Sequence, residues 1–347
     1  MKDTSKDSRN APYGANSLLA LAIAIAAAVI YMILASEHPG EALRAFFVSP
    51  FVHRTVFLNL LEQAAAPCLC ALGAALVFRS GDFNLGGEGQ AYAGGLIAVL
   101  VLLVFSGLPG FIGITMGLVV GACAGAFISL PSAVSRRLTG SEVLLSTFLV
   151  SQTVVFALDW AIAGPLRDPS SNLIATPVLP RAFLLPRLAP PSSLSPALFL
   201  AIGGAFALDR FFRRSRRGME LVLYGRNPSF ARSIGFPVSG YAFWPLIVSG
   251  AFHGFAGALI ALGSNGRAVR GMTGGIGWNG ISIALVAGND PRLILPAALL
   301  FSWLDAGARQ ASILSGVSID VSAVTKALVL LFATARFLKG TSKGKAI

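Results

Sequence analysis

Long apolar runs constrain the fold of this chain more than any other feature of its sequence. Hydrophobic residues make up 55% of the 347 residues, charged residues make up 12%, and the mean hydropathy is +0.74. Soluble domains carry roughly a quarter charged residues. The apolar residues are gathered into stretches close to the ~20 residues that a helix needs to cross a bilayer. The sequence therefore predicts an all-α integral membrane protein.

Ten apolar stretches predict about ten transmembrane helices in a single domain that covers residues 1–347. The first stretch is longer than the ~7–15-residue core of a signal peptide, so we interpret it as an uncleaved span. Seven prolines lie in residues 164–195, which we predict to be an ordered extracytoplasmic loop. The predicted spans are Ser17–Ala35, Val56–Val77, Gly89–Phe105, Gly110–Leu130, Val143–Ala163, Pro196–Phe212, Tyr241–Leu262, Gly274–Ala287, Leu293–Leu304 and Val321–Phe337.

Basic residues are divided unevenly between the two ends of these spans. Eighteen of the 27 Lys and Arg fall on the side of the N-terminus, eight fall on the other side, and Lys326 lies in the last span. Because cytoplasmic connections are rich in Lys and Arg, this bias predicts that both termini are cytoplasmic, with an N-terminal tail at 1–16. It also explains the net charge of +12 without nucleic acid as a partner. The predicted location is a bacterial cytoplasmic (inner) membrane.

The polar segment, residues 78–90 with the sequence FRSGDFNLGGEGQ, interrupts the apolar pattern between the second and third runs. Asn84, Glu88 and Gln90 carry hydrogen-bonding groups, and each glycine weakens a helix by up to about 1 kcal/mol relative to alanine. Unwound backbone at membrane depth is tolerated only where it is packed in protein or lines a cavity. The segment therefore predicts part of a substrate pathway, with candidate residues Asn84, Gly86, Gly87, Glu88 and Gln90.

A structural interpretation of the same residues stands beside the functional one. Asn84 is a good helix cap, and Glu88 would lie in the first turn of the third span, where the helix dipole favours a negative charge. The glycines would equally serve close packing between helices. The two interpretations do not exclude each other.

A second glycine-rich stretch, Gly271–Gly280, opens the eighth predicted span. It adds Trp278 and Asn279 to the candidate pathway residues. Each polar stretch thus opens the third span of a five-span half. An odd number of spans in each half produces inverted repeats with the site at their interface. We therefore predict two inverted five-helix repeats.

The coupling segment, residues 213–237, is a basic connection between the sixth and seventh predicted spans. Met219–Tyr224 and Ser229–Ile234 predict two short helices joined by a Gly-Arg-Asn-Pro turn. A solvated loop with a helix on the membrane surface is one interpretation. A short amphipathic helix on the cytoplasmic side is also what a transport protein needs to dock onto a cytoplasmic motor, and we favour docking.

Other motifs in the chain give no catalytic, nucleotide or metal site. Gly275-x-Gly277-x-x-Gly280 matches a dinucleotide fingerprint as text but follows no predicted strand. The tail 340–345 falls one residue short of a P-loop, so ATP and Mg²⁺ are expected on a partner rather than on this chain. The three cysteines and three histidines are scattered, which predicts no metal site. The intramembrane carboxylates Glu62, Glu88 and Asp159 keep a proton-coupled carrier open as an alternative.

Three motifs in the same order resemble a known family. FRSGDFNLGGEGQAYAGG resembles the signature that permease subunits carry after their second span in the nucleoside-type branch of the branched-chain amino acid and simple-sugar ABC importers. LYGRNPSFARSIGF is similar to the coupling segment of that family, with matches at Gly225, Asn227, Pro228, Ala231 and Gly235. GGIGWNGISIALVAGNDP resembles its third motif, with matches at Gly277, Trp278, Ile281, Ala284, Leu285 and Pro291.

This resemblance implies a permease subunit of an ATP-driven importer, for nucleosides or purines by its Glu-Gly-Gln ending, with a simple-sugar permease as the alternative. It implies three kinds of partner: an ABC ATPase, an extracytoplasmic solute-binding protein, and a second homologous permease that is expected to form a heterodimer, a homodimer being possible. Membrane lipid is the surrounding solvent. Asp82 departs from the family pattern, and Trp278 with Asn279 stands where the family more commonly has Phe with Asp or Thr. The roles of Asp82 and Glu62 stay open. The implied coupling residues are Glu220, Tyr224, Gly225, Asn227, Pro228, Ala231 and Gly235.

Overall fold

The computed structural model describes residues 13–341, and describes side chains at positions 22, 23 and 25–331. Most of the predicted tail 1–16 lies outside the described residues. Between residues 13 and 341 the regular elements are helices, apart from one isolated β-bridge between Ala175 and Val269. The α-helices are α1 (Tyr13–Ala35), α2 (Pro39–Phe47), α3 (Ser49–Val52), α4 (Arg54–Arg79), α5 (Gly87–Val104), α6 (Gly110–Thr139), α7 (Val143–Ala163), α8 (Ala197–Arg214), α9 (Arg216–Arg226), α10 (Pro228–Ser233), α11 (Val238–Tyr241), α12 (Trp244–Ile260), α13 (Ile276–Val286), α14 (Pro291–Ser315) and α15 (Asp320–Thr341).

A helix lies at each place where the sequence predicts a span, and five of these segments are long and apolar enough to cross a membrane. They are α4, α5, α6, α7 and the segment Val238–Asn265, which contains α12. The helix α13 has 11 residues and is about 16 Å long at ~1.5 Å per residue, roughly half of a bilayer core. The all-helical, multi-pass part of the prediction is confirmed for the described residues.

Two compact units make up the chain. One consists of Leu58–Leu299 and contains every candidate site residue. The other consists of Met1–Phe57 and Leu300–Ile347. In its described part, Phe46 is fully buried and packs edge-on against Trp303 with ring centroids 6.1 Å apart. Lys326 of α15 donates to Asp305 of α14 at 2.8 Å, so the basic residue in the last predicted span is paired within its own unit.

Three helices, α5, α6 and α12, pack at backbone distance in the centre of the larger unit. A Cβ atom added at Gly94 of α5 would overlap the carbonyl oxygen of Gly254 in α12, and one at Gly254 would overlap that of Gly121 in α6. Gly125 and Gly250 face each other in the same way. Small residues allow this approach, which gives helices within a bilayer their van der Waals contact. The glycines of these runs therefore determine how closely the three helices pack.

The predicted loop 164–195 packs along the backbone that precedes α13. The backbone N–H groups of Thr176, Leu179 and Leu185 donate to the carbonyl oxygens of Ala268, Gly266 and Leu262 at 2.8–2.9 Å. One turn of 3₁₀ helix, Arg181–Phe183, buries Phe183 against α6. Main-chain hydrogen bonds thus replace regular secondary structure in this proline-rich region.

Glu62 of α4 anchors the end of this loop. Its two carboxylate oxygens accept from the backbone N–H and the hydroxyl of Ser195, at 2.8 and 2.7 Å. One turn away, Asn59 accepts from the backbone N–H and hydroxyl of Ser193 at 2.7 and 2.9 Å. In the structure Glu62 therefore holds the end of the loop 164–195 against α4.

Enlarging Gly254 should loosen the α5–α6–α12 packing. In Gly254→Ala the new methyl group meets the Gly121 carbonyl oxygen, and overpacking of this kind costs about 1–3 kcal/mol. Gly203→Ala is the matched control, because a Cβ atom at Gly203 has no heavy atom within 4 Å. We expect a lower thermal midpoint in detergent for Gly254→Ala alone. Equal midpoints for the two variants would contradict the packing described above.

Candidate functional site

Buried amides hold the polar segment in front of α5. Asn84 and Gln90 are 0% and 1% exposed, and the Asn84 side-chain nitrogen donates to the Gln90 Oε1 at 3.0 Å. The same nitrogen donates to the hydroxyl of Ser249 in α12 at 3.0 Å, while Asn84 Oδ1 accepts from the Gly86 N–H at 2.8 Å. Buried polar groups are costly unless they are hydrogen-bonded. The two predicted residues therefore lie together as a packed pair that fixes the segment to α12.

Two hydroxyl groups of α7 accept hydrogen bonds from backbone N–H groups of the same segment. Leu85 N–H donates to Thr147 Oγ1 at 3.0 Å, and Gly89 N–H donates to Ser151 Oγ at 2.8 Å. Thr147 and Ser151 are 2% and 0% exposed. The first N–H groups of a helix have no hydrogen-bond acceptor within that helix. Ser151 of α7 supplies such an acceptor to the first turn of α5.

Glu88 joins the two glycine-rich stretches. It lies in the first turn of α5, and its two carboxylate oxygens accept from the backbone N–H groups of Gly275 and Gly277 at 2.9 Å each. Gly275 directly precedes α13, and Gly277 lies in its first turn. The carboxylate therefore meets the N-terminus of α13, where unpaired N–H groups and the helix dipole favour a negative charge. Glu88 caps α13, whereas the structural interpretation of the sequence placed its charge in the first turn of α5 alone.

Backbone-to-backbone contact accompanies this hydrogen-bonded pair. A Cβ atom at Gly277 would overlap the backbone nitrogen of Glu88, and one at Gly87 would meet the ring of His253. A side chain at Gly277 would push the starts of α5 and α13 apart, and one at Gly87 would press on His253 of α12. Gly87 and Gly277 are thus required by close contact with neighbouring helices.

His253 of α12 is a site residue that the sequence analysis did not single out. It is 0% exposed, its Nδ1 lies 2.7 Å from the Ser249 carbonyl oxygen, and its Nε2 is buried with no hydrogen-bond partner among the described residues. Because a carbonyl only accepts, Nδ1 carries the proton, and Nε2 presents a lone pair beside Gly87. A signal for it existed in the sequence. Ser249 and His253 are four residues apart, as are Thr147 and Ser151, so each polar pair shares one helix face.

Tyr92 ties the backbone before α13 to α5 and α7. Its hydroxyl donates to Asp159 of α7 at 2.7 Å and accepts from the Gly271 N–H at 3.0 Å. Asp159 also lies 3.5 Å from Arg270. The intramembrane carboxylate at 159 therefore has two partners, both of which position the glycine-rich stretch.

Trp278 and Asn279 follow Gly277 in the first turn of α13. Trp278 is 39% exposed, and its ring stands edge-on to Phe148 of α7 with centroids 6.1 Å apart. Asn279 is half-buried. Of the predicted pathway residues, the structure brings Glu88 next to Gly277 and leaves Trp278 partly accessible, while Asn84 and Gln90 are enclosed.

The coupling segment has the two short helices expected of it, α9 and α10. Asn227 lies between them, and its side chain accepts from the Phe230 N–H at 2.9 Å, which caps α10 ahead of Pro228. Leu221, Tyr224 and Ala231 are 0%, 6% and 0% exposed. One face of the segment is therefore packed against the protein.

Glu220 fixes α9 to the start of the next long helical segment. It accepts hydrogen bonds from the hydroxyl of Tyr241 and from Arg216. These two bonds hold the pKa of the Glu220 carboxyl below its usual range. A carboxyl whose pKa is lowered by folding contributes stability above its unfolded pKa and loses it as the pH falls.

Gly225 brings the coupling segment into contact with the polar segment. A Cβ atom at Gly225 would overlap the carbonyl oxygen of Arg79, and one at Gly81 would meet the carbonyl oxygen of Gly225 at 2.8 Å. Gly81 has φ +85°, a conformation that favours glycine. Gly235, also predicted here, has φ +84° and no heavy atom within 4 Å of an added Cβ. It ends the segment through its backbone conformation.

Asp82 pairs with Arg136 at the same junction. Arg136 Nη2 lies 2.9 Å from Asp82 Oδ1, and Asp82 is 8% exposed. Burial raises the pKa of the Asp82 carboxyl, and the charge of Arg136 opposes that rise. The departure from the family pattern at position 82 is therefore matched by a cation from the end of α6.

These features define an all-helical membrane protein in which a basic segment contacts a polar break between apolar helices. The family model for the permease component of branched-chain amino acid transport systems matches residues 56–334. The chain belongs to this family. The permease prediction is confirmed, and the chain is a transport subunit that works as one component of a larger system.

Several curated proteins are similar to the chain along most of its length. "Probable riboflavin import permease protein RfuC" of Treponema pallidum is 28% identical over 93% of this chain and 85% of its own length. The guanosine ABC transporter permease NupP of Bacillus subtilis is 28% identical over 94% and 96%. The glucose ABC transporter permease TsgB13 of Haloferax volcanii is 27% identical over 94% and 88%.

Removing the Glu88 carboxylate should weaken the contact between α5 and α13. Glu88→Ala leaves two backbone N–H groups without their acceptor, at about 1–3 kcal/mol for each buried group, and Glu88→Gln should fall between it and the wild type. We expect reduced uptake by cells that carry the variant and a lower thermal midpoint of the purified chain.

Glu142→Ala is the control for Glu88→Ala. Glu142 is exposed and precedes α7 without making a side-chain hydrogen bond to that helix. If Glu88→Ala behaved like Glu142→Ala in both measurements, the assignment of Glu88 to the site would be wrong.

Proposed function

We propose that this chain is the transmembrane permease subunit of an ATP-driven importer of nucleosides or purines. The observation that carries the proposal is the contact between the two glycine-rich stretches through Glu88. Two helix starts that meet at a carboxylate make a junction that can open, because its hydrogen bonds run between separate helices. Family membership and the relative that transports guanosine support the same conclusion.

The chemistry of the relatives' substrates supports a ligand that combines a flat ring with hydroxyl groups. Guanosine and riboflavin each join an aromatic heterocycle to a polyhydroxylated group, whereas glucose has the hydroxyl groups alone. In the proposed pathway the partly exposed indole of Trp278 stacks on the heterocycle. Asn279 and the Glu88 carboxylate, once it is released from α13, would bind hydroxyl or amino groups. Simple-sugar import is the second candidate, and the glucose transporter among the relatives favours it.

The proposed topology has ten membrane crossings in two inverted five-helix repeats. The crossing helices are α1, α4, α5, α6, α7, α8, α12, α13, α14 and α15. α5 and α13 are the third and eighth of them, and each follows a glycine-rich stretch, which supports the repeat. The excess of Lys and Arg on one side supports cytoplasmic termini in a bacterial inner membrane, with the loop 164–195 outside.

The proposed partners follow from the family. This chain is expected to bind no cofactor, and ATP and Mg²⁺ would be bound by an ABC ATPase partner. A second permease would complete the pathway, as a heterodimer with a homologue or as a homodimer, and a solute-binding protein would deliver the ligand from outside.

The coupling segment is the proposed contact with the ATPase. Its packed face contains Leu221, Tyr224 and Ala231, whereas Phe230 and Ile234 are 50% and 45% exposed. An exposed aromatic residue beside an aliphatic one is suited to a groove on a partner. A helix that is packed on one face and exposed on the other can transmit a movement of the ATPase to the membrane domain.

This movement would reach the proposed substrate pathway through main-chain contacts. Gly225 of α9 contacts Arg79 and Gly81 in the first part of the polar segment, which also contains Glu88. Movement of α9 would therefore shift the start of α5 relative to α13 and alternate the access of the site.

Gly225→Ala should separate ATP hydrolysis from transport. The added methyl group would overlap the Arg79 carbonyl oxygen and displace α9 from the polar segment. We expect membrane insertion and ATPase activity of the purified complex to persist while uptake falls about tenfold or more, as expected for misplaced elements. Gly107→Ala, which meets no heavy atom within 4 Å, is the control. Wild-type uptake by Gly225→Ala would refute this route.

The class of substrate is tested by calorimetry on the proposed solute-binding partner, which is sought among the proteins encoded beside this gene. The panel contains nucleosides, free bases, riboflavin, glucose and pentoses. We expect the tightest binding for a nucleoside. Tighter binding of a sugar would agree with the importer assignment but would replace nucleosides by sugars as the substrate class.

The energy source is tested in proteoliposomes that contain the whole complex. We expect uptake to require ATP and to resist a proton ionophore. Uptake that needs no ATP and collapses with the ionophore would establish the proton-coupled alternative.

A further inference from the structure

A cavity of about 440 Å³ lies between the end of α8, the start of α9 and the turn that leads into α12. Ligand pockets in proteins span roughly 300–1,000 Å³. The contact between the coupling and polar segments does not use this cavity. It is lined by Phe211, Arg217, Pro237, Gly240, Tyr241 and Trp244.

Aromatic rings form the wall of the cavity. Trp244 stands edge-on to Phe211 with ring centroids 5.9 Å apart, and Tyr241 lies 6.2 Å from Trp244. Tyr and Trp are enriched where membrane helices meet the polar surface of the bilayer. Trp244 is the first residue of α12, and Phe211 lies in the last turn of α8. The cavity therefore combines an apolar wall with a position at the ends of two proposed spans.

Arg217 supplies a cation at the edge of this wall. It is one of five arginines in residues 210–217. Two of them are already paired, Arg213 with Asp209 and Asp290 and Arg216 with Glu220. The second oxygen of Glu220 accepts from Tyr241. Arg217 itself forms no ion pair with any residue that the structure describes.

We propose that this cavity binds one anionic phospholipid of the cytoplasmic leaflet, with its phosphate at Arg217 and an acyl chain against Phe211, Tyr241 and Trp244. Charge complementarity favours a lipid with net negative charge, because basic pockets between membrane helices attract such headgroups. A free anion would use the arginine and leave the aromatic wall bare. The proposal rests on the proposed topology, in which α8 and α12 cross the membrane with these ends on the cytoplasmic side. Arg217 and Pro237 belong to the coupling segment, but lipid binding is measured on the chain without the ATPase and does not depend on the transported substrate.

Native mass spectrometry of the full-length chain tests the site. The chain is released from membranes that contain phosphatidylglycerol and phosphatidylcholine, and the retained lipid is counted. We expect the wild type to retain one phosphatidylglycerol in preference to phosphatidylcholine. Arg217→Gln should lower that retention about fivefold, the factor that corresponds to roughly 1 kcal/mol for one arginine near an anionic surface.

Arg214→Gln is the matched control, because Arg214 is exposed in the same basic cluster and does not line the cavity. It should retain phosphatidylglycerol as the wild type does. Equal losses in Arg214→Gln and Arg217→Gln would overturn the site in favour of diffuse attraction. Equal retention of the two lipids by the wild type would overturn its preference for an anion.

Gly240→Leu tests the acyl-chain part of the site without removing a charge. A Cβ atom at Gly240, which lines the cavity, has no heavy atom within 4 Å, so a side chain can begin there without overlap, and we expect the leucine to take up cavity volume. We expect loss of the bound lipid with an unchanged thermal midpoint of the lipid-free chain. Retention of the lipid by Gly240→Leu, together with its displacement by inorganic phosphate, would assign the arginine to a free anion and overturn the proposal.

Discussion

The structure of the larger unit depends on a carboxylate that is shared between two helix starts. Glu88 belongs to α5 by sequence and to α13 by its hydrogen bonds, from Gly275 and Gly277. Away from water, a carboxylate requires hydrogen-bond donors and the N–H groups at a helix start require acceptors. The Glu88 carboxylate and the start of α13 satisfy each other in this way. The pair permits a short helix, α13, to begin inside the protein, and it holds the glycine-rich backbone around it in contact with α5.

Hydropathy predicted where the helices lie, but not where they end. The third motif and the polar segment were predictable because glycine and polar residues interrupt runs that are otherwise apolar. In contrast, α6 continues to Thr139 and α14 to Ser315, well past the predicted ends at Leu130 and Leu304. The reason is physical: apolar composition marks the part suited to lipid, whereas backbone hydrogen bonds continue a helix past that part, even through Pro131.

Partners that are distant in sequence account for what could not be predicted at the site. Asn84 was identified as a candidate, yet its hydrogen bond to Ser249 spans 165 positions. No local pattern encodes that pairing, so only the fold shows that an amide predicted as a pathway residue also belongs to a packed network. Gly225 was predicted as a coupling residue, and its contact with Arg79 within the chain is visible only in the fold. The spacing of Ser249 and His253 marks a polar face of α12 in the sequence, whereas the position of His253 beside Gly87 is visible only in the fold.

Trp278 gives the molecule an optical reporter of its own. It is one of four tryptophans, it follows Gly277 in the helix that Glu88 caps, and it is partly accessible with Phe148 at its edge. Indole emission depends on the polarity of its surroundings. A displacement of the α13 start would change those surroundings, so the fluorescence of this side chain would follow the junction in an unlabelled protein.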